Sequence, residues 1–249
     1  MKKLKVLAIE TSTNLGGVSF LEDNLCVFSK SSTAQKSHSE LVHQFIESGL
    51  NELNWSLNEI DLFATTSGPG SFTGIRVAVN TCKTYSYIFK KPLVGVDSLN
   101  TLALQNLPLI KQEGNSSNKI FCAINAYKNM VYYSQYEVID DKLLPSSLKL
   151  IQGPSVIPVK DLAAVIKEKT WFLGDGFATY EKYFSTEVKE YLLRNTSLQD
   201  FPSSTTLGQL AFDKLTSSQQ TFEWNLFTPL YLRASEAEEN KKGILYSPL

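Results

Sequence analysis

The chain has 249 residues, 43% of them hydrophobic and 20% charged, and its 24 basic and 25 acidic residues give a net charge of −1. This is the composition of a globular protein with a sizeable core, and it provides no electrostatic reason to bind nucleic acid or an anionic membrane unaided. The three cysteines lie far apart in apolar segments, which indicates reduced thiols, and the apolar run after the basic N-terminus is too short for a signal peptide, so we expect a cytoplasmic protein.

The first part of the chain alternates between strand and helix patterns. Short apolar runs predict strands at residues 4–10, 18–21, 25–29, 61–66 and 92–96. Helical periodicity predicts helices at residues 38–53, 72–89 and 98–105. A glycine-rich turn connects the fourth of these strands to the second helix.

The second part of the chain repeats this order after a polar stretch at residues 108–118, where we place a boundary between domains at 1–107 and 108–249. The predicted strands are 120–125, 130–139, 148–152 and 171–173, and the predicted helices are 159–168, 177–184 and 203–215. Strand, strand, strand, helix, strand, helix therefore occurs twice. This order predicts an α/β fold of two similar lobes, each with a mixed sheet flanked by helices. Packing of the 203–215 helix against the first lobe is left open, and the tail is expected to be loose.

The glycine-rich turn has the sequence Ser67-Gly68-Pro69-Gly70-Ser71-Phe72-Thr73-Gly74-Ile75-Arg76. Glycines between a strand and a helix can aim several backbone N–H groups and the helix dipole at an anion. The segment lacks the Gly-Lys-Ser/Thr ending of a P-loop and the glycine spacing of a dinucleotide fold. The glycines can equally serve a tight turn and close packing of the helix, and both interpretations stay open here.

Several motifs together closely resemble those of the bacterial TsaB (YeaZ) family, within the actin, Hsp70 and sugar-kinase superfamily. They are the run from Val6 to Thr13, His38-Ser39-Glu40, the glycine-rich turn, Gly95-Val96-Asp97-Ser98-Leu99 and Tyr231-Leu232-Arg233. The resemblance implies an actin-like duplication of a ribonuclease-H-like lobe. It also implies a non-catalytic subunit needed for threonylcarbamoyl transfer to adenosine 37 of tRNA. Such a subunit binds and activates a TsaD-like catalytic subunit, works with a TsaE-like ATPase, and meets tRNA only through the complex.

Metal chemistry is not expected from the histidines. The resemblance implies that TsaD-type relatives carry His-x-x-x-His after the Gly-Val strand, a spacing that places both imidazoles on one helical face. Here Ser98 and Leu102 stand at the matching positions. His38 and His43, the chain's two histidines, would point about 140° apart on a helix. We therefore predict no catalytic residue and no metal site.

Two enzymatic alternatives remain. An ATP-binding phosphotransferase or ATPase would act through Glu10, Thr11 and the glycine-rich turn, with Asp97 as a further carboxylate. A glycoprotease-like peptidase would need a nucleophile with a base or a metal, which the sequence does not offer. A remnant phosphate site, with weak nucleotide binding and no required cofactor, is predicted at Glu10, Thr11, Ser12, Gly68, Gly70 and Ser71.

The helices at residues 38–53 and 72–89 are the predicted partner surface. The second helix is apolar or small over most of its circumference, which fits either a second contact or deep burial in its own lobe. The resemblance implies that these helices form a bundle with a TsaD-like subunit, or with a second copy of the chain when that subunit is absent. The candidate interface residues are His38, Val42, Ile46, Arg76, Val79, Lys83 and Tyr87.

Overall fold

The structure is a computed structural model that describes residues 3–33, 38–114, 116–140, 145–218, 221, 223–234, 238, 239 and 241. The chain divides into two compact units. The first comprises Met1–Thr101 and Pro202–Leu230, and the second comprises Leu102–Phe201 and Tyr231–Leu249. The division falls inside the helix that begins at Ser98, and the boundary predicted between residues 107 and 108 lies further along that helix.

The first unit is built on a five-stranded mixed sheet. Its strands are β1 (Lys5–Glu10), β2 (Leu15–Glu22), β3 (Leu25–Thr33), β4 (Leu62–Gly68) and β5 (Leu93–Asp97). Their order is β3-β2-β1-β4-β5, with β2 antiparallel to both of its neighbours and β1, β4 and β5 parallel. The central strand β1 is apolar from Val6 to Ile9 and fully buried, as expected for a strand covered on both faces.

Helices cover both faces of this sheet. They are α1 (His38–Leu53), α2 (Phe72–Phe89) and α6 (Ser204–Ser218), and a further helix, α3 (Ser98–Gln112), directly follows β5. Leu7 and Ile9 of β1 join the core under α1 and α2, whereas Ala8, between them, lies against Gly208 of α6. Because successive strand residues point to opposite faces, α6 packs on the face opposite α1 and α2.

The second unit repeats the sheet. Its strands are β6 (Lys119–Asn125), β7 (Met130–Val138), β8 (Leu148–Pro158), β9 (Thr170–Leu173) and β10 (Leu192–Leu193). Read from the other edge, their order is β8-β7-β6-β9-β10, with the same antiparallel and parallel pairs as in the first unit. The two similar α/β lobes that the sequence predicts are therefore confirmed.

The connections of the second unit differ from the prediction. The helix predicted at 159–168 is a 3-10 helix at Val159–Ala164, and the one predicted at 177–184 is the short α4 (Asp175–Tyr180) with a 3-10 turn after it. The prediction missed α5 (Thr186–Tyr191). The prediction ended α3 at residue 105, but the helix continues through Pro108, because the side chains of Leu107 and Ile110 are buried and hold the backbone in place.

None of the helices in the described part of the chain is both long and apolar enough to cross a membrane. The cytoplasmic location stays a prediction.

Candidate functional site

The carboxyl ends of β1, β4 and β5 carry a cluster of buried polar side chains in the first unit. Glu10 ends β1, Thr66 lies near the end of β4, and Asp97 ends β5. Parallel strands end at the same edge of a sheet, which is where open α/β sheets bind ligands. This edge is therefore the place to test the predicted phosphate site.

Glu10 is completely buried at this edge. Its Oε1 accepts a hydrogen bond from the Ser12 backbone N–H at 2.6 Å. In the described structure, Glu10 Oε2 and Ser12 Oγ are both buried without a hydrogen-bond partner. Burial raises the pKa of Glu10 to about 7, although the Ser12 and Thr66 hydroxyls lie close enough to oppose the shift. At neutral pH the carboxyl group thus holds a proton much of the time, and a neutral carboxyl can donate from Oε2.

Asp97 serves the local structure. Its Oδ1 accepts from the Asn100 backbone N–H at 2.8 Å, which satisfies a donor in the first turn of α3. Burial raises the pKa of Asp97 to about 6, and the charge of Lys214 in α6 opposes this. The Lys214 ammonium group donates to the Gly95 carbonyl oxygen at 3.1 Å, and burial lowers its pKa. These contacts tie α6 to the end of β5.

The glycine-rich turn packs directly on the loop after β1. The Ser71 N–H donates to the Ser12 carbonyl oxygen at 2.7 Å, and the Thr11 hydroxyl donates to the Gly74 carbonyl oxygen at 2.6 Å. A Cβ atom on Gly70 would overlap the Ser12 backbone, and one on Gly74 would overlap the Thr11 carbonyl. The geometry favours the interpretation in which these glycines permit close packing.

The predicted phosphate-binding residues consequently contact one another and neighbouring parts of the chain. Glu10, Thr11 and Ser12 have no exposed surface. The Gly74 N–H donates to the Ser71 side chain at 3.2 Å, so Ser71 is the N-cap of α2. Gly68 has a φ of 91°, a left-handed conformation that favours glycine, and a Cβ there would press on the Leu230 carbonyl oxygen. Nucleotide binding stays an untested prediction.

The predicted interface residues separate into two groups. Val42, Ile46 and Val79 are at most 3% exposed and belong to the core between the helices and the sheet. The expectation that these three face a partner is therefore corrected, because the unit's own core covers them. His38 begins α1, and its side chain lies outside the described part of the structure.

The remaining candidates lie on the outer side of α2. Arg76 is exposed, with its guanidinium 3.8 Å from the centre of the Phe72 ring. Lys83 is half-buried and donates to the Phe227 carbonyl oxygen at 3.0 Å. Tyr87 is half exposed and contacts Trp224, a residue that the sequence analysis did not single out.

The positions that match the histidine pair of TsaD-type relatives are both buried. The Ser98 hydroxyl lies 2.6 Å from that of Thr66, and Leu102 is part of the apolar interior of the second unit. No group of three His, Cys, Asp or Glu side chains among the described residues could hold a metal ion.

The last motif of the sequence analysis, Tyr231-Leu232-Arg233, anchors the C-terminal segment within the second unit. The Arg233 guanidinium donates to the Ala126 carbonyl oxygen and forms a fork with Glu239 at 2.7 and 2.9 Å. Lys128 donates to the same carboxylate at 3.0 Å. Glu239, in the tail that we expected to be loose, is 3% exposed.

Comparison with known proteins gives a consistent set of relatives. A family model described as tRNA N6-adenosine threonylcarbamoyltransferase, TsaD, matches residues 30–241. The tRNA threonylcarbamoyladenosine biosynthesis protein TsaB of Buchnera aphidicola subsp. Baizongia pistaciae is 30% identical over 80% of this chain and 85% of its own. TsaB of Bacillus subtilis is 24% identical over 94% of this chain and 96% of its own. The solved structure of YeaZ from Pseudomonas aeruginosa has a TM-score of 0.72 at 22% identity, over 92% of this chain and 100% of that one.

Proposed function

The chain belongs to the TsaD family of tRNA-modifying proteins and to its TsaB members, and from this premise we propose that it is the non-catalytic subunit of a threonylcarbamoyl transfer complex. It takes part in the biosynthesis of N6-threonylcarbamoyladenosine, at adenosine 37 of tRNA. In this role it binds a TsaD-like catalytic subunit and holds it in an active arrangement. A TsaE-like ATPase joins the complex.

The observation that carries the non-catalytic role is the closed packing at the end of β1. The Ser71 amide and the Thr11 hydroxyl are bonded to backbone carbonyls of the facing loops, and Glu10 has no access to solvent. A phosphotransferase needs a carboxylate that reaches the substrate hydroxyl and the metal. Glu10, which would have that role in the ATPase alternative, cannot reach a substrate in this conformation.

The docking surface in this proposal is the solvent-facing side of α1 and α2. The buried residues of both helices hold them on the sheet, which presents the opposite side as a rigid surface. We propose that this side binds the catalytic subunit, and that a second copy of the chain occupies it when the catalytic subunit is absent.

Reconstitution tests the proposal. The purified chain, the TsaD-like subunit and the TsaE-like ATPase of the same organism are combined with tRNA, ATP and a threonylcarbamoyl donor. Modified nucleoside is measured by mass spectrometry. We expect product only when the chain and the catalytic subunit are both present. Full activity without the chain would contradict the proposal.

A control experiment distinguishes the proposed accessory role from the ATPase alternative. The chain alone is titrated with ATP and magnesium by calorimetry and assayed for phosphate release. Micromolar binding with hydrolysis that Glu10→Gln abolishes would favour the ATPase.

A further inference from the structure

Four large apolar side chains are exposed at the C-terminal end of α2 and on the turn at residues 223–227. Tyr87 is 50% exposed, Ile88 57%, Trp224 40% and Leu226 69%. The Tyr87 and Trp224 rings meet edge to face, with their centroids 4.8 Å apart. We call these four residues the Trp224 patch. Their exposed apolar surface is on the order of several hundred Å², which on a globular unit marks an interaction site.

The turn that carries Trp224 is fixed in place. The backbone N–H groups of Leu226 and Phe227 both donate to the Glu223 carbonyl oxygen, at 3.0 and 3.1 Å. Phe227 is buried, and its ring lies where a side chain on Gly95 of β5 would stand. Lys83 of α2 donates to the Phe227 carbonyl oxygen at 3.0 Å. Association would therefore not have to order this surface, which reduces the entropic cost of binding.

One basic and one acidic side chain flank the patch. The Lys90 ammonium group lies 4.2 Å from the centre of the Tyr87 ring, and Glu223, which is exposed, directly precedes Trp224 in the chain. The lysine thus belongs to the Tyr87 side of the ring pair and the glutamate to the Trp224 side. Within the described part of the chain, neither of the two charges forms an ion pair. Both are therefore available to a second molecule.

A surface with this order of groups is complementary to itself. A two-fold axis through the ring pair exchanges the two ends of the patch, so Lys90 of each copy faces Glu223 of the other. The apolar side chains of the two copies then meet at the centre. Because a two-fold contact uses the same surface on both molecules, both ion pairs form together. A second copy of the chain consequently supplies the apolar centre and both opposite charges that the patch requires.

The size of the patch sets the strength of this contact. Two copies of the patch with their flanking charges would bury roughly 1,000 Å² in total, which is below the typical size of a stable interface. We therefore expect a dimer with a dissociation constant in the micromolar range or weaker, on the order of 10 to 100 µM. Such a dimer exchanges readily with its monomer.

We propose that two copies of the chain associate through the Trp224 patch about a two-fold axis, with Trp224 and Tyr87 at the apolar centre and a Lys90–Glu223 ion pair at each end. This inference rests on the proposed function, in which the chain associates with itself when the catalytic subunit is absent. It centres that contact on the C-terminal end of α2 and the turn at residues 223–227.

The test is sedimentation equilibrium of the full-length chain over a series of concentrations. We expect Trp224→Ala, Lys90→Glu and Glu223→Lys each to raise the dimer Kd by about tenfold or more, the last two because they place like charges opposite each other. The second unit provides a matched control, since Tyr183 is 46% exposed and the Lys182 ammonium lies 4.9 Å from the centre of its ring. Lys182→Glu should leave the dimer Kd within about twofold of that of the unchanged chain.

Mixing the two charge variants tests the pairing itself. The Lys90→Glu chain carries glutamates at both positions, and the Glu223→Lys chain carries lysines at both. Each variant alone repels its own copies, but a mixed dimer has two favourable pairs. We expect an equimolar mixture to dimerise with a Kd within about threefold of the unchanged chain. Damage to the fold could not produce this recovery, so the mixture separates a lost contact from a misfolded variant.

Each outcome supports or overturns the inference. It is overturned if the unchanged chain stays monomeric, if the three variants dimerise as well as the unchanged chain, or if the mixture of charge variants does not recover. It is also overturned if the variants keep the dimer Kd but lose affinity for the TsaD-like subunit in calorimetry, because the patch then belongs to that subunit. Failure of the proposed function is a separate result, since it is read from modified nucleoside in the reconstitution and not from sedimentation.

Discussion

The carboxyl group of Glu10 makes the stability of the fold depend on pH. Its pKa rises from an ordinary value of 4.5 to about 7 in the folded chain, chiefly because burial disfavours the charged form. The folded state therefore binds the proton more tightly than the unfolded state. This contribution is fully present below pH 4.5 and is lost as the pH rises through 7, at up to about 1.4 kcal/mol per pH unit.

We expect Glu10→Gln to remove this dependence. The amide oxygen can still accept from the Ser12 N–H, and the amide nitrogen can donate to the Ser12 hydroxyl. The variant should match the unchanged chain near pH 5 and be more stable at pH 8 by at least about 1 kcal/mol, measured by urea denaturation. Glu59 is the control of opposite sign. Its hydrogen bond with Lys5 lowers its pKa to about 2, so its charged form stabilises the fold at neutral pH. Glu59→Gln should therefore be less stable than the unchanged chain at neutral pH, and the difference should shrink as the pH falls. Parallel pH curves for Glu10→Gln and the unchanged chain would contradict the assignment.

Gly74 shows why a glycine stands in the first turn of α2. In most helices Gly→Ala gains about 1 kcal/mol, because alanine loses less conformational entropy on folding. Here the added Cβ would overlap the backbone carbonyl of Thr11, which cannot move without breaking the packing at the end of β1. We expect Gly74→Ala to lower the free energy of unfolding by at least about 2 kcal/mol. In Gly208→Ala, the control on α6, the new methyl group meets the flexible end of Leu21 and comes within 3.0 Å of the Ala8 Cβ atom. It overlaps no backbone carbonyl, so the loss should be smaller than in Gly74→Ala. A stabilised Gly74→Ala would refute this account.

At the scale of one helix, α2 separates the core from the proposed docking surface within two consecutive residues. Val79 is 2% exposed, whereas Asn80 is exposed. Val79→Glu would bury an unpaired charge, and we expect it to lower the free energy of unfolding by roughly 3 kcal/mol or more. Asn80→Glu should change stability by less than about 0.5 kcal/mol but weaken binding of the catalytic subunit, because it adds a negative charge to a basic surface. Thermal melts and calorimetry measure the two effects. Equal losses of stability in both variants would contradict this division.

The elements that the sequence predicts well are those with a long, regular apolar pattern. The helices α1 and α2 begin and end at the predicted residues, since each has several turns of periodic apolar side chains. The six-residue helices α4 and α5 are too short to show a period, and the two-residue strand β10 has no pattern of its own. Nor could the sequence show which side of α2 is buried, because apolar residues cover most of its circumference.

At the scale of the whole molecule, the duplication could be predicted from the order of elements, but the state of the candidate site could not. Glu10 was correctly expected at the end of one strand and the glycine-rich turn after another, and the structure shows that these two strands, β1 and β4, are neighbours. Whether the turn holds an anion or packs on the chain depends on the bond between Ser12 and Ser71, residues distant in sequence. The sequence analysis did not single out Trp224, because an aromatic residue in an irregular segment belongs to no periodic pattern. Its contact with Tyr87 is visible only in the structure.

The balance of charge over the chain leads to a prediction about tRNA. A net charge of −1 leaves no general attraction for a polyanion, and non-specific binding to nucleic acid comes almost entirely from released counterions. We expect the isolated chain to bind tRNA with a Kd above roughly 10 µM at 150 mM salt in a filter-binding assay. The catalytic subunit should bind more tightly, and addition of the chain should leave the salt dependence of that binding nearly unchanged, because the chain neutralises few phosphates. Submicromolar, salt-resistant binding by the chain alone would show that it contacts tRNA directly and would contradict the accessory role in which tRNA is reached through the complex.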